Sequence, residues 1–325
     1  MTFTKTVHLP VDVDEAFALI TQPERLRRWQ TVSAQVDLRA GGTFRWTVTP
    51  GHLASGTFTE VEPGKRIVFG WGWDGSDEVA PDSSTVTITL SPVGGGTELT
   101  LVHEGLSEEQ AAMHAEGWNH YVARLEKAAV DTDAGPDEWA AAPENLDPIV
   151  SAEASLAVLQ GVLLRLTRED QVKQTPCEEY DCHALAEHLF GSIVTVGGWA
   201  EVEVVNPEEG SLENRVAVMA DTALTAWRAR GIEGTVEGPA PDFPAVAAIS
   251  ILSLEFLLHA WDFAQASGQE LNVSEELASY VLGLAEQIVP GARGAAFGPE
   301  IEVDGEASAM ERLVAFTGRR PLVAA

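Results

Sequence analysis

Cysteine is scarce in this chain of 325 residues, which holds only Cys177 and Cys182. Two cysteines cannot build a disulfide scaffold, and we expect both to be reduced because the N-terminus lacks the apolar core of an export signal. Basic residues are also few, since 20 Lys and Arg stand against 50 Asp and Glu, for a net charge of −30. A surface of this sign repels phosphate backbones and anionic lipids. We therefore expect a cytoplasmic protein with no nucleic-acid partner and no membrane partner.

Apolar residues are present in ordinary measure, 45% of the chain, as in globular proteins. The length favours two domains. Residues 131–146 are rich in small and acidic residues and lack helical or strand periodicity. They are predicted to link a domain at residues 1–130 to a second domain at residues 147–325.

The first domain reads as an antiparallel sheet followed by one long helix, an α+β arrangement. A strand at 4–9 precedes two short helical pieces, the first capped by Asp12 or Asp14 and the second spanning 23–29. Glycine and proline pairs separate the segments that follow. Further strands are predicted at 32–39, 43–49, 54–62, 65–73, 84–91 and 97–104, and the long helix at 107–129.

Several motifs in this domain resemble the START-like (SRPBCC) superfamily, most closely its AHSA branch. They are Pro10, Ala16-Phe17, Ile20-Thr21, Pro23-Glu24, Trp29, Asp37-Leu38-Arg39, Gly41-Gly42, Gly56, Val61-Glu62-Pro63 and Gly117-Trp118. The resemblance implies a helix-grip fold, in which a curved sheet encloses the long C-terminal helix with a cavity between them. It also implies an apolar or aromatic small-molecule ligand.

Two groups of side chains in the first domain invite a functional interpretation. Four tryptophans could line the cavity, but the interpretation that they fill the core is favoured, since large aromatic residues dominate protein cores. They are Trp29, Trp46, Trp71 and Trp73. On the long helix, His114, Glu116 and His120 include one pair with four-residue spacing, yet their neighbours form no apolar stripe. We interpret that trio as a partly solvated helix face.

The second domain has helical periodicity throughout. Helices are predicted at 146–166, 182–199 with Asp181 as N-cap, 211–230 and 244–267 ending at Gly268, separated mostly by short connections. These four read as an all-α bundle. A helix at 274–288, a short strand near 300–303 and a last helix at 307–317 would form a small α/β extension.

The run from Phe243 to Trp261 is almost wholly apolar and carries only two ionisable side chains, Glu255 and His259. Its length is near that of a membrane span, but a Glu close to its middle argues against insertion. Four-residue spacing puts both groups on one face of a helix. Burying them is costly unless they are paired or bound to something. A divalent metal with His188 as third ligand, or a buried Glu–His hydrogen bond without metal, would each satisfy them.

A second resemblance covers most of residues 147–325. Its motifs are Thr175-Pro176-Cys177, Tyr180-Asp181, Leu185, His188-Leu189, Gly191, Glu255, His259-Ala260-Trp261-Asp262, Ala264, Ala266, Gly268, Phe297-Gly298-Pro299, Arg312-Leu313 and Gly318-Arg319-Arg320-Pro321. Together they resemble the DinB/mycothiol-dependent maleylpyruvate isomerase superfamily of actinobacterial proteins. The resemblance implies a four-helix bundle with a divalent metal, zinc as first candidate, held at positions that map here onto His188, Glu255 and His259.

The resemblance also implies an activity. Three protein ligands leave a coordination position open for water, a substrate oxygen or a thiol, which in the family is mycothiol. Arg319 or Arg320 matches the family's late arginine, although a surface ion pair is an equal alternative. Asp262 is a candidate to orient a ligand imidazole or to contact substrate, or it faces water. A different zinc arrangement from Cys177, Cys182, His183 and His188 has unfavourable cysteine spacing.

The resulting hypothesis is a metal- and thiol-dependent isomerase or S-transferase acting on a small organic substrate. The alternative is a small-molecule binding or sequestering protein with a non-catalytic metal site. A homodimer is compatible with either function.

Overall fold

The computed structural model describes residues 1–177 and 179–322. The chain forms two compact units, Met1–Asp137 and Glu138–Ala325. The first combines a large antiparallel sheet with helices, and the second consists mainly of helices. The protein is therefore of the α+β class, as predicted.

Seven strands form one sheet in the first unit: β1 Phe3–Leu9, β2 Ser33–Val36, β3 Thr43–Thr49, β4 His52–Glu62, β5 Arg66–Trp73, β6 Ser84–Val93 and β7 Gly96–Glu104. Their spatial order is β1-β7-β6-β5-β4-β3-β2, and every neighbouring pair is antiparallel. Buried and exposed residues alternate along most of β6 and β7, because successive side chains of a strand point to opposite faces. One face of the sheet thus supplies the core.

Three helices accompany the sheet: α1 Val13–Thr21, α2 Pro23–Leu26 and α3 Glu108–Asp131. Asp12 caps α1, as predicted, by accepting a hydrogen bond from the Glu15 backbone N–H. A capping box between Ser107 and Gln110 starts α3. This long helix buries Trp118, Tyr121, Val122 and Leu125, which belong to the same core as the sheet residues. The predicted sheet followed by one long helix is confirmed.

The sheet contains glycines at points where no side chain fits. A Cβ on Gly56 of β4 would lie 1.9 Å from the carbonyl oxygen of Gly70 on β5. A Cβ on Gly72 of β5 would lie equally close to the backbone of the loop that follows, 1.9 Å from the carbonyl oxygen of Ala80. The close approach of these backbones therefore depends on glycine.

The described part of the second unit has seven α-helices: α4 Glu138–Ala141, α5 Pro148–Leu163, α6 Cys182–Trp199, α7 Leu212–Arg230, α8 Ala245–Ser267, α9 Glu275–Ile288 and α10 Ala309–Phe316. α5 packs against α7 and α8, and α6 packs against the same two helices. α9 packs against α5, α8 and α10. Asp181 caps α6 through the Ala184 N–H, as predicted.

α8 is the central apolar helix. It is long and apolar enough to cross a membrane, but 78% of its most apolar window is buried inside the protein, as expected of a core helix. It ends where predicted, at Gly268, whose φ of 73° is the left-handed conformation that glycine adopts without strain. The elements around α8 thus carry Glu255 and His259 into the interior.

Three expectations for the connections were wrong or incomplete. The predicted strand near 300–303 does not form, because among the described residues it has one backbone hydrogen bond, from the Ile301 N–H to the Ala315 carbonyl, and no partner strand. Two short paired strands, β8 Thr235–Val236 and β9 Phe243–Pro244, were not predicted and lie in the connection between the third and fourth predicted helices of this domain. The predicted linker at 131–146 is partly structured, since it contains α4 and places buried Ala134 in the first unit's core.

Candidate metal centre

Two adjacent helices carry the three predicted ligands. His188 lies in the second turn of α6, whose start is fixed by the Asp181 cap. Glu255 and His259 lie one turn apart on α8, which packs against α6. Four-residue spacing aligns their side chains on one face, and that face meets α6 at His188. The structure therefore brings together all three residues that the sequence singled out.

The distances between these side chains match the spacing of ligands around a small cation. Glu255 Oε2 lies 3.3 Å from His188 Nε2 and 3.4 Å from His259 Nε2, and all three ligand atoms lie within 4.8 Å of one another. Two ligand atoms at ~2.05 Å from zinc, separated by the tetrahedral angle, stand about 3.3–3.4 Å apart. These two separations match a tetrahedron edge, and they are also those of two Glu–His ion pairs.

Two of the three ligand atoms are buried without a hydrogen-bond partner. Glu255 Oε2 and His259 Nε2 have almost no accessible surface, and neither atom forms a hydrogen bond of good geometry with any described residue. A buried carboxylate oxygen and imidazole nitrogen without a well-formed hydrogen bond are costly, and a shared cation would remove the cost from both. The donor set of two imidazoles and one carboxylate suits a divalent metal such as zinc. The residues present thus fit the ion that the sequence predicts.

The pKa values of Glu255 and His259 are shifted by the charged groups around them. Burial raises the pKa of Glu255, but the imidazoles of His188 and His259 outweigh burial, and the net direction is down. Burial lowers the pKa of His259, but Asp262 and Glu255 outweigh it and raise it overall. The carboxylate of Glu255 is therefore ionised and available to a cation.

Asp262 orients His259 from behind. Its side chain is fully buried, and its Oδ2 accepts a hydrogen bond from His259 Nδ1 at 3.0 Å. With Nδ1 bonded to Asp262, Nε2 is the nitrogen that faces Glu255. Of the two roles predicted for Asp262, the orienting one matches the geometry, and the alternative that it faces water does not.

Arg319 neutralises the buried Asp262. Its Nε donates to both carboxylate oxygens at 3.1 Å, and its side chain is 10% exposed. Burial raises the pKa of Asp262, but Arg319 and His259 outweigh it and lower it overall. The neighbouring Arg320 is exposed, so the structure distinguishes the two arginines that the sequence left open.

Cys177 completes this arrangement, a contact that sequence reasoning missed. Its thiol donates to Asp262 Oδ2 at 3.4 Å, and Arg319 Nη2 lies 3.6 Å from its sulfur. Burial and then Asp262 raise the pKa of Cys177 to about 12, so the thiol is protonated at neutral pH. Cys177, His259 and Asp262 also lie close enough together to hold an ion, but Arg319 already supplies the cation there.

The alternative cysteine arrangement is not supported by the geometry. Cys182 and His183 belong to neither cluster of metal-capable side chains among residues 1–177 and 179–322. Cys182 is instead buried at the start of α6. The contact between Cys177 and Asp262 joins residues 85 positions apart, so no local pattern could predict it. The motif that contains Cys177 was the one sequence signal that pointed toward it.

Tyr180 packs on the third ligand. Its ring stacks on His188 with centroids 5.2 Å apart and an interplanar angle of 23°. The His188 side chain is 37% exposed, against 4% for His259, so this ligand lies at the open side of the cluster. The stacked ring supports the plane of an imidazole that also contacts Glu255 and the ring of His259.

The first unit has a cavity of about 240 Å³ between the sheet and α3. It is lined by Gln30, Val48, Trp71, Trp73, Met113, His114, Gly117, Trp118 and Tyr121. Of the four tryptophans considered from the sequence, Trp71 and Trp73 line this cavity, whereas buried Trp29 and Trp46 do not. Trp71 is also a buried member of the core, so the core-filling interpretation holds for Trp29, Trp46 and Trp71, while Trp73 is partly buried against that core.

The prediction that His114 lies on a solvated face was wrong. His114 is buried, its Nδ1 donates to the Gln110 carbonyl at 2.8 Å, and its Nε2 accepts from the Trp73 indole N–H at 3.3 Å. Burial lowers its pKa, so the ring is neutral. Glu116 is exposed and His120 pairs with Asp137, as expected nearer the solvent.

His103, on β7 beside His114, was not singled out from the sequence. It is fully buried, its Nδ1 accepts from the Trp118 indole N–H at 3.0 Å, and its Nε2 donates to Ser84 Oγ at 2.9 Å. Ser84 in turn donates to the Trp71 carbonyl at 3.0 Å. These contacts fix one neutral tautomer of His103 behind the cavity wall.

Parts of the chain are similar in sequence to known proteins. The protein-family description "Activator of Hsp90 ATPase homolog 1-like protein" matches residues 10–129. The human activator of 90 kDa heat shock protein ATPase homolog 1 is 27% identical over 108 residues, which are 33% of this chain and 30% of the human protein. An uncharacterized protein of Mycobacterium tuberculosis is 28% identical over 179 residues, 54% of this chain and 98% of that protein.

Solved structures are also similar to part of the chain. The AHSA1-like protein of Rhizobium etli is 42% identical, with 45% of this chain and 91% of that chain covered, at a TM-score of 0.37. DynU16, described as a protein in the dynemicin biosynthetic locus, is 22% identical, with 46% and 57% covered, at a TM-score of 0.39.

Proposed function

We propose that this chain joins its AHSA1-like N-terminal domain to a metal-dependent catalytic domain, and that it is an isomerase or S-transferase that uses a thiol of the mycothiol type. The proposed substrate is a small organic molecule, and the N-terminal domain would bind an apolar ligand. His188, Glu255 and His259 would hold a divalent metal, with zinc as first candidate. The proposal is supported above all by two buried ligand atoms, Glu255 Oε2 and His259 Nε2, that lack any other partner among the described residues.

A metal in this position would supply an open coordination site and lower the pKa of a bound thiol or water. The chain's own residues would do the rest. Asp262 holds the proton of His259 Nδ1 and so keeps the Nε2 lone pair free for coordination. Arg319 carries a fixed positive charge beside the centre, where it is suited to stabilise a developing thiolate or enolate.

The protonated Cys177 thiol does not serve as the nucleophile in this proposal. Its raised pKa of about 12 keeps the thiol neutral, and its S–H donates a hydrogen bond to Asp262. An activating thiol must therefore come from a cofactor. The choice of mycothiol, like the DinB-like four-helix bundle for residues 147–325, rests on the sequence resemblance.

Metal analysis of tag-free protein tests the first half of the proposal. We expect about one zinc per chain by mass spectrometry of the purified protein, and loss of that zinc in His259→Ala. His120→Ala is the matched control, because His120 lies in the other unit and pairs with Asp137. Equal metal content in the two variants contradicts the assignment of His259.

Thiol binding tests the second half. Cobalt-substituted protein titrated with mycothiol should gain the near-ultraviolet absorption of a cobalt–thiolate bond. At saturating cobalt, Arg319→Met should weaken thiol binding, because the positive charge beside Asp262 and Cys177 is lost. A cobalt spectrum that ignores mycothiol contradicts the thiol-dependent activity and leaves the metal site standing.

A second candidate function is a small-molecule binding or sequestering protein with a non-catalytic metal site. The cavity of the N-terminal domain favours it, because a concave apolar wall with few polar groups is typical of ligand-binding sites. An apolar ligand that copurifies with the protein, together with a metal that binds no thiol, would favour this function. The cytoplasmic location, the exclusion of nucleic acid and membrane partners and the homodimer stay predictions.

A further inference from the structure

We infer that the cavity of the N-terminal domain takes an uncharged aromatic ligand that carries a hydrogen-bond donor and acceptor side by side, and that Gln30 recognises this polar edge. The inference rests on the proposed ligand-binding role of this domain. It names the chemistry of the ligand and the residue that selects it.

Gln30 is a buried polar side chain without a partner. It follows Trp29 in the turn after α2, is only 4% exposed and lines the cavity. Its carboxamide makes no hydrogen bond with the residues that the structure describes. Its amide atoms are not among the inaccessible unpaired atoms, so they remain reachable, and a ligand in the cavity can supply the partners that the protein does not.

The other polar groups of the wall are already used or out of reach. His114 Nδ1 donates to the Gln110 carbonyl, and His114 Nε2 accepts from the Trp73 indole N–H. Both nitrogens of His114 and the indole N–H of Trp73 are therefore already in hydrogen bonds. The Trp118 indole donates to His103. Trp71 Nε1 has no hydrogen-bond partner among the described residues, but like the Tyr121 hydroxyl it has almost no accessible surface, so a ligand cannot reach either group. The carboxamide of Gln30 is therefore the unsatisfied group that a ligand can reach.

The wall selects for a flat, uncharged molecule. Three tryptophans line it, and no Asp, Glu, Lys or Arg is among its described residues. Tryptophan rings favour aromatic ligands, whereas a charge placed here would lose its hydration without finding a counter-charge. A cavity of about 150 Å³ accommodates benzene, so about 240 Å³ has room for two fused rings. Met113, which is 55% exposed, marks where the cavity reaches the surface.

The geometry of a carboxamide sets the polar edge. It presents a carbonyl acceptor next to an N–H donor, and a ligand carboxamide or lactam offers the complementary pair. A site built around such a pair rejects analogues that lack it, because the buried amide then stays unpaired.

Titration of the full chain with 2-naphthamide, naphthalene and 2-naphthoate tests the inference, with calorimetry and quenching of tryptophan fluorescence as readouts. We expect 2-naphthamide to bind at least tenfold more tightly than either other compound. Gln30→Met, which keeps the length of the side chain and removes its amide, should abolish the preference over naphthalene while still binding naphthalene. Gln287→Met, on the exposed side of α9, is the matched control and should keep the preference.

The outcomes separate the two levels of the proposal. Retained naphthalene binding by Gln30→Met shows that the cavity is still folded. If wild-type protein binds naphthalene and 2-naphthamide equally, or if Gln30→Met keeps the preference, the role of Gln30 is refuted and the apolar ligand site remains. If no compound binds, both the inference and the ligand-binding role of the cavity are refuted.

Discussion

Replacement of His103 by glutamine should remove an acid sensitivity from the N-terminal domain. Burial, reinforced by the neighbouring His114, lowers the pKa of His103 from 6.5 to about 3 in the folded protein. The unfolded chain binds a proton at this residue below about pH 6.5, whereas the folded protein does not. This difference in proton binding leaves the free energy of unfolding unchanged above pH 6.5. It lowers that free energy progressively as the pH falls from 6.5 toward 3.

The size of the effect follows from the pKa difference. Each pH unit below 6.5 costs about 1.4 kcal/mol, so wild-type protein should lose about 2 kcal/mol between pH 6.5 and pH 5 through this residue. His103→Gln keeps an acceptor and a donor near Trp118 and Ser84 but cannot be charged. The variant is expected to be less stable at pH 8 and to lose less stability on acidification.

Urea unfolding of the full chain, followed by hydrogen exchange of peptides from residues 84–104, measures this difference. His8→Gln is the matched control, because His8 is an exposed histidine on β1. We expect the control to follow the wild-type pH dependence. Parallel stability curves for wild type and His103→Gln from pH 8 to pH 5 would refute the reasoning.

Other predictions concern the metal centre and the sheet. Asp262→Asn should weaken zinc affinity about 10–100-fold in a chelator competition, because it loosens the hold on His259, and an unchanged affinity would contradict that role. Tyr180→Ala should weaken zinc affinity by about tenfold while Tyr180→Phe keeps it, because the stacked ring, and not the hydroxyl, supports the plane of His188; equal losses in both variants would implicate the hydroxyl. Gly56→Ala should destabilise the N-terminal domain by several kcal/mol in urea unfolding, whereas Gly94→Ala, which meets no atom within 4 Å, should change little.

The sequence was most informative where periodicity and chemistry coincide. Glu255 and His259 stand out because an apolar helix with two ionisable groups one turn apart must put them in the same place. The position of His188 opposite them follows from the cap at Asp181, which sets the start of α6. Both signals are local in the sequence, and the packing of α6 against α8 brings the residues that carry them together.

Contacts that join distant segments were not predictable in the same way. Gln30 lies in a turn, and only the folding of α3 across the sheet makes it part of a cavity wall. The burial of His114 depends on Trp73 from β5, although its neighbours on α3 are polar enough to indicate a solvated face. The predicted strand near 300–303 has suitable residues but lacks a partner strand, which no local pattern reveals.

The central claim is that two imidazoles and one carboxylate bind a metal in the second unit. X-ray absorption spectroscopy of zinc-loaded protein tests it most directly, because zinc–sulfur bonds, at about 2.3 Å, are resolved from zinc–nitrogen bonds at about 2.0–2.1 Å. We predict one zinc per chain with nitrogen and oxygen ligands, two of them imidazoles, and no sulfur unless a thiol is added. A sulfur ligand in the protein without added thiol would assign the ion to Cys177, and protein that retains no zinc would remove the metal centre altogether.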